Sequence, residues 1–348
     1  MESMLKKDIR NYDLKELEKV FVEKGEKPFR AKQVYEWLWS RSVKSFEEMT
    51  NLSINTRKWL TEEFDFFPVS LSFQQKSGDG TIKQAYALHD NNTVEGVLIP
   101  TKSRMTACIS SQAGCSLSCA FCATGFLERK KNLDPGEIYD QVVHLNNLAM
   151  EEYQIPLSNI VLMGMGEPLL NYANVMKAIE YITSPKGLGM SSKRITLSTA
   201  GISKMIKKLG DDQVKFNLAL SLHAPNDVKR NEIMAINETN NLAALKESLK
   251  YFYSKTGNKV TLEYIIFDGF NDSIEDAKEL HLYAKDLPVM INIIEYNPVE
   301  GVRFRKAKPE KVDAFAAYLE QKGIIAKVRR SRGKDIDAAC GQLANKNQ

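Results

Sequence analysis

From about Arg104 to Asn297 the chain carries six apolar, β-branched runs, MTACIS, NIVLMG, RITLST, FNLALSL, VTLEYIIF and MINIIEYN, with segments of helical pattern between them. Strands that are apolar on both faces need cover on both, and strands joined through helices run parallel. The alternation therefore predicts an α/β fold built on a parallel sheet with helical crossovers. Six units, against the eight of a closed barrel, predict an open, partial (β/α)6 barrel. Chemistry in such a fold is expected at the C-terminal ends of the strands.

The flanking segments read differently. Residues 13–64 predict three helices, the first opened by Asp13 and Glu16 and the third by Ser45 and Glu48, both in capping-box spacing. Between them lies PFRAKQVYEWLWSRS, with apolar residues at helical intervals and many basic ones nearby, a solvated face or a nucleic-acid surface. The alternating stretches VSLSFQQ, TIKQAYALH and VEGVLIP, parted by SGDG and HDNN, predict antiparallel strands. The expected organisation is thus a helical accessory domain over 1–65, a short antiparallel β extension over 66–103 and a catalytic domain over 104–344, with a polar tail that frays. The 348 residues suffice for one large domain and a smaller one, and 43% hydrophobic content argues against disorder. No apolar run approaches the roughly 18 residues of a membrane span, and no hydrophobic signal segment opens the chain. A cytoplasmic protein without a membrane partner is expected, and a monomer, since no segment presents a self-pairing face.

Four of the five cysteines fall in one short stretch, Cys108, Cys115, Cys119 and Cys122, with Cys340 alone near the C-terminus. Crowding of this kind points to a metal or catalytic site in a reducing compartment. Cys115, Cys119 and Cys122 form C-x3-C-x2-C just after the first strand. Three thiolates can hold one face of an iron-sulfur cube and leave the fourth iron open for a chelating ligand. A structural zinc site, with Cys108 as fourth ligand, is the alternative. Other strand ends carry polar residues too: Gly164, Gly166 and Glu167 after the second, Ser198 at the third, Ser221, Leu222 and His223 at the fourth and Asn297 after the sixth. Glycine there lets backbone approach a ligand, and a carboxylate can accept a bond from an ammonium group.

The cysteine loop after the first barrel strand resembles the signature of the radical S-adenosylmethionine (SAM) superfamily. That resemblance implies a radical SAM barrel with a 4Fe-4S cluster on Cys115, Cys119 and Cys122 whose open iron binds SAM, and SAM contacts from Gly166, Glu167, Ser198, Ser221, Leu222, His223 and Asn297. The stretches ACISSQAGCSLSCAFCATG, KKNL, GMGEPLLNY, SLHAPND, EYNP and RGKDIDAACGQLA, spread from about Glu95 to Ala344, are similar to the bacterial dual-specificity adenine C-2 methyltransferases of ribosomal and transfer RNA. That family resemblance implies two SAM molecules per turnover. Cys340 takes a methyl group from the first, and a radical made from the second activates that methyl for addition to adenine C-2. Cys108 then closes a transient disulfide with Cys340 and releases the product, while Glu95 takes the C-2 proton. Implied partners are 23S rRNA at the peptidyl transferase centre, the tRNA adenosine next to the anticodon, and a flavodoxin-type electron donor.

Two basic clusters, Arg303 to Lys311 and Lys327, Arg329, Arg330, Arg332 and Lys334, are candidates for phosphate contacts or plain surface charge. The net charge of +4 permits an RNA partner without demanding one. The nearest rival is the related resistance methyltransferase acting on adenine C-8, whose pattern has Cys where this chain has Ala113. A zinc-stabilised RNA-binding module without catalysis is the rival from another class.

Overall fold

The computed structural model describes residues 6–345. Three helices open it: α1 (Leu14–Glu23), α2 (Pro28–Trp39) and α3 (Ile54–Glu63). The Asp13 and Glu16 capping box forms as its spacing predicts. The second one does not. Glu48 turns its carboxylate back to the Lys44 N–H, and Phe46, Met49 and Leu52 are buried in irregular turns. The helix starts eight residues beyond Ser45, at Ser53, whose hydroxyl accepts from the Thr56 N–H. Burial of three apolar side chains thus outweighs a local cap, which contributes only about 1 kcal/mol.

The VSLSFQQ, TIKQAYALH and VEGVLIP stretches form β1 (Ser70–Lys76), β2 (Ile82–Ala87) and β3 (Thr93–Pro100), an antiparallel meander. Each of the six β-branched runs is a strand: β4 (Met105–Cys108), β5 (Asn159–Leu162), β6 (Ile195–Thr199), β7 (Asn217–Ser221), β8 (Val260–Ile266) and β9 (Val289–Glu295). They pair parallel in chain order. Helices α4 (Pro135–Tyr153), α5 (Tyr172–Thr183), α6 (Ser203–Asp211), α7 (Asp227–Ile233), α8 (Leu242–Thr256), α9 (Ile274–Ala284) and α10 (Pro309–Gln321) fill the connections.

Two features go beyond the sequence reading. The antiparallel strands are not a separate layer, because β3 pairs with β4 and the whole forms one ten-stranded sheet from β1 to β10. The tenth strand, β10 (Ala326–Arg329), adds a seventh parallel member beside β9. It lies within a segment read as basic surface, because an edge strand that alternates Ala326 and Val328 with Lys327 and Arg329 buries only one side. The sheet stays open, with β1 and β10 as its unjoined ends, as the partial barrel requires. Among the described residues no helix is long and apolar enough to cross a membrane. The polar tail was expected to fray, yet Ala344 and Asn345 are bonded to the β3 strand; residues 346–348 lie outside the described range.

Arg10 ties the N-terminal segment to the barrel. Its guanidinium is buried and reaches Asp8, Asp140 on α4 (2.7 Å) and the Phe67 carbonyl. Burial alone would lower its pKa, but Asp140 and Asp8 raise it above the ordinary value. Removing one member of a buried ion group strands the others, at about 3–5 kcal/mol. Arg10→Ala should therefore lower the thermal midpoint markedly, whereas Lys208→Ala, on an exposed pair, should leave it nearly unchanged; equal midpoints for the two variants would contradict the anchoring role.

Candidate active site

The C-terminal ends of β5 to β9 surround one cavity of about 860 Å³, counting its open mouth. Leu162, Ser198, Ser221, Glu263, Ile265 and Ile294 reach it from five successive strands, so the sheet curves around this space. Cys115, Cys119 and Cys122 line it from the loop after β4, and Cys340 and Gly341 from the C-terminal segment.

The cysteine loop is fixed by its backbone. Gly114 has φ +76°, and a Cβ there would stand 2.1 Å from the Glu128 carbonyl oxygen, so only glycine fits. The Ala120 N–H donates to the Ile233 carbonyl at the end of α7 (3.0 Å), and the Ala123 N–H to the Gly341 carbonyl (2.7 Å). Burial pushes the Cys115 thiol up to about 11 and raises Cys119 and Cys122 as well, so an ion or cluster that stabilises thiolate is needed to ionise them at neutral pH. Among the described residues no three His, Cys, Asp or Glu side chains converge on a single ion.

Opposite the loop, Gly166 has φ +95° and packs so closely on Gln112 that a Cβ would meet it at 2.5 Å. This tight turn carries Glu167 into the cavity. Its buried carboxylate accepts from the Leu169 N–H (3.0 Å) and the Ala200 N–H (2.7 Å), which fix its position and leave lone pairs for a cationic ligand. Ser198 and Ser221 stand side by side, their hydroxyls 3.4 Å apart.

His223 follows with φ +56°. Its Nδ1 accepts from the Ile265 N–H (3.1 Å), so the ring proton sits on Nε2. Burial, then the nearby Arg230 charge, lowers its pKa to about 3.

Nine of the thirteen residues expected from the sequence line the cavity: Cys115, Cys119, Cys122, Gly166, Glu167, Ser198, Ser221, His223 and Cys340. The other four stand behind it. Leu222 is wholly buried and its N–H donates to the Glu263 carbonyl. Asn297 donates through its amide to the Cys340 carbonyl (3.4 Å), so it holds the C-terminal loop. Cys108 is buried on β4, and burial, then the nearby Cys340 thiol, raises its cost of ionisation. Glu95 is buried against Lys83 (3.3 Å) and accepts from the Ala344 and Asn345 N–H groups (2.9 and 3.2 Å), anchoring the chain just after Cys340.

The segment before Cys340 is equally tied down. Asp335 accepts from Ser77 (2.5 Å) and the Gly78 N–H (3.1 Å), and Asp79 from the Gly333 N–H (2.9 Å). Both expected basic clusters are partly neutralised. Arg330, Lys334 and Lys306 surround buried Glu295 at 2.5, 3.0 and 3.2 Å, holding its carboxyl down at about 2 despite burial, and Lys311 pairs with Asp272 (2.7 Å).

Sequence reasoning missed two site residues. Glu263 lines the cavity with one buried oxygen unpartnered, and the signal was an acidic residue inside the apolar strand VTLEYII. Arg230 reads as helix-surface charge but is completely buried.

Comparison with known proteins agrees with this geometry. Residues 7–65 match the ribosomal RNA large subunit methyltransferase N-terminal domain, and residues 109–281 the radical SAM superfamily. The chain is 63% identical, over 98% of its length and 93% of the relative, to a probable dual-specificity RNA methyltransferase RlmN of Cytophaga hutchinsonii. It belongs to the RlmN family. Another such relative, from Christiangramia forsetii, is 56% identical over 98% of this chain and 97% of its own. A crystal structure of a radical SAM methyltransferase from Sphaerobacter thermophilus superposes with TM-score 0.91 at 35% identity, covering 97% of this chain and 99% of that one. As an RlmN-family enzyme the chain is an RNA methyltransferase of the radical SAM type, which uses a 4Fe-4S cluster and SAM. Cys115, Cys119 and Cys122 all line the one cavity and are the thiols that would hold the cluster.

A histidine whose folded pKa lies below its unfolded value loses stability as pH falls, here from about 6.5 downward. The His223 ring signal in NMR, assigned by its absence in His223→Gln, should stay flat between pH 5 and 8. A midpoint near 6.5 would contradict the neutral, Nε2-protonated ring.

Proposed function

We propose that this enzyme methylates adenine C-2 in 23S rRNA and in tRNA, with Cys340 as methyl carrier and Cys108 as resolving thiol. The observation that carries the reading is the position of Cys340, exposed at the cavity lined by the cysteine loop, with Cys108 buried close behind it. Adenine C-2 is too electron-poor to attack a sulfonium methyl directly, so an intermediate carrier and a radical are required. Bound on Cys115, Cys119 and Cys122, the cluster would supply the electron for reductive cleavage of SAM.

The chain's own groups do the rest. Glu167 and Gly166 orient the amino-acid end of SAM, and Ser198, Ser221 and the Nε2–H of His223 offer hydrogen bonds to its polar edge. Cys340, held by the Asn297 amide and the Ala123 N–H to Gly341, presents its sulfur to the methyl group and then to the base. Cys108 attacks that sulfur to form the disulfide that frees the product. Glu95 acts as proton acceptor once its bonds to Ala344 and Asn345 give way, so release of the C-terminal segment accompanies product formation. The target adenosine must leave its stack to reach this depth, which favours loops. The protein works in the cytoplasm as a monomer with a flavodoxin-type donor.

Ribosomal and transfer RNA from deletion and complemented cells, digested and analysed by mass spectrometry, should differ in 2-methyladenosine; a difference in 8-methyladenosine would move the enzyme to the C-8 class. Cys115→Ala should lose its iron and SAM cleavage. Cys340→Ala should keep its iron and transfer no methyl, and Cys108→Ala should accumulate a protein-RNA crosslink; methylation by Cys340→Ala would remove that residue from the reaction.

A further inference from the structure

Arg230 is a buried cation without a buried anion to match it. It sits on α7 with no exposed surface, and its guanidinium donates to the carbonyls of Leu222 (3.1 Å), Ser221 (3.2 Å) and Ala200 (2.5 Å) and to the Asn237 amide oxygen (2.8 Å). All four partners are neutral. Among the described residues no carboxylate forms an ion pair with it, in contrast to buried Arg10, which holds two. Asp227, one turn earlier, makes no ion pair with it; its carboxylate accepts from the Asn237 amide (2.9 Å) and the Leu242 N–H (2.9 Å) and reaches Arg230 only as a nearby charge. Burial therefore dominates and pulls the Arg230 pKa down to about 10, against the opposing influence of Tyr283, Cys119 and Asp227.

A charge removed from water without a partner is costly, and a fold that keeps one has a counter-charge elsewhere. The surroundings of Arg230 show where that counter-charge would lie. The helix carrying Arg230 ends at Ile233, whose carbonyl receives the Ala120 N–H, one residue from Cys119. The carbonyls it binds belong to the ends of β6 and β7, which line the same cavity.

We infer that Arg230 is the built-in counter-ion of the cysteine loop and sets how readily a cluster held there accepts an electron. This rests on the reading that Cys115, Cys119 and Cys122 carry that cluster. Three thiolates on a 2+ core leave a net charge of −1, and one-electron reduction makes it −2. A fixed buried cation stabilises the second state more than the first, so it raises the midpoint potential. Its neutral tethers are part of the device, since a carboxylate pair would cancel the field. Arg230 is in this sense a tuning residue that does not touch substrate.

The test is an EPR-monitored redox titration of the anaerobically reconstituted full-length enzyme without RNA. Arg230→Gln should make the reduced-to-oxidised ratio at a fixed potential at least tenfold smaller, a downward shift of 59 mV for a one-electron couple. Arg230→Lys, which keeps the charge and loses the fork, should stay nearer wild type even though its thermal midpoint falls. Asp227→Asn keeps an acceptor for Asn237 and removes the attenuating negative charge, so its midpoint should move upward. Opposite signs from Arg230→Gln and Asp227→Asn are not produced by loosened packing. A wild-type potential in Arg230→Gln overturns the inference; if that variant holds no cluster, an unchanged or lowered potential in Asp227→Asn overturns it. Wild-type protein that takes up no cluster would instead refute the underlying reading of the cysteine loop.

Discussion

The short hydrogen bond from the Ala123 N–H to the Gly341 carbonyl joins the two loops on which the site depends. One carries the three cysteines from the end of β4, and the other brings Cys340 back from the far end of the chain. The Thr124 hydroxyl repeats the connection at the Leu343 carbonyl, 2.6 Å away. The first loop has only a two-residue antiparallel pairing at its base and one 3-10 turn, and the second one 3-10 turn, so each is positioned largely by bonds to the other and to the sheet. A shift in the cysteine loop is therefore transmitted to the sulfur that would receive a methyl group.

The C-terminal loop is fastened at three further places, each through acids that are exposed at the first and buried at the other two. Asp79 and Asp335 bind it to the β1–β2 turn, Glu295 gathers Arg330, Lys334 and Lys306 at the end of β9, and Glu95 holds Ala344 and Asn345. The antiparallel meander β1–β3 has a definite task in this arrangement. It widens the sheet on the β4 side and supplies the turn and the carboxylate that clamp the segment around Cys340. Such bonds are individually modest, about 1 kcal/mol each, so the segment is held by their number and not by any single one.

Much of this was legible in the residues. Six β-branched runs separated by helical patterns gave the parallel strands one for one, because a strand covered on both faces leaves few alternatives to an apolar run. The Asp13 and Glu16 cap formed because nothing competed with it, whereas Ser45 and Glu48 lost to the burial of Phe46, Met49 and Leu52. The strand at Ala326–Arg329 was hidden because an edge strand with alternating basic residues looks like surface. Polar residues at strand ends were found, while Glu263 and Arg230 were not, since a charge in a sequence is presumed solvated until packing shows otherwise.

Local order in the chain determined the α/β alternation, the spacing of three thiols on one short loop and the likeness to adenine methyltransferases, because these depend on neighbours within a few residues. Tertiary structure alone decided that residues more than two hundred positions apart, Cys108 and Cys340, come near enough for the second to bear on the first, that Glu95 clamps the C-terminal segment, and that Arg230 is sealed against the strand ends without a carboxylate. The reason is physical: periodicity fixes which face of an element is buried, but what lies across from it is settled only when the sheet curves and its loops close over the cavity.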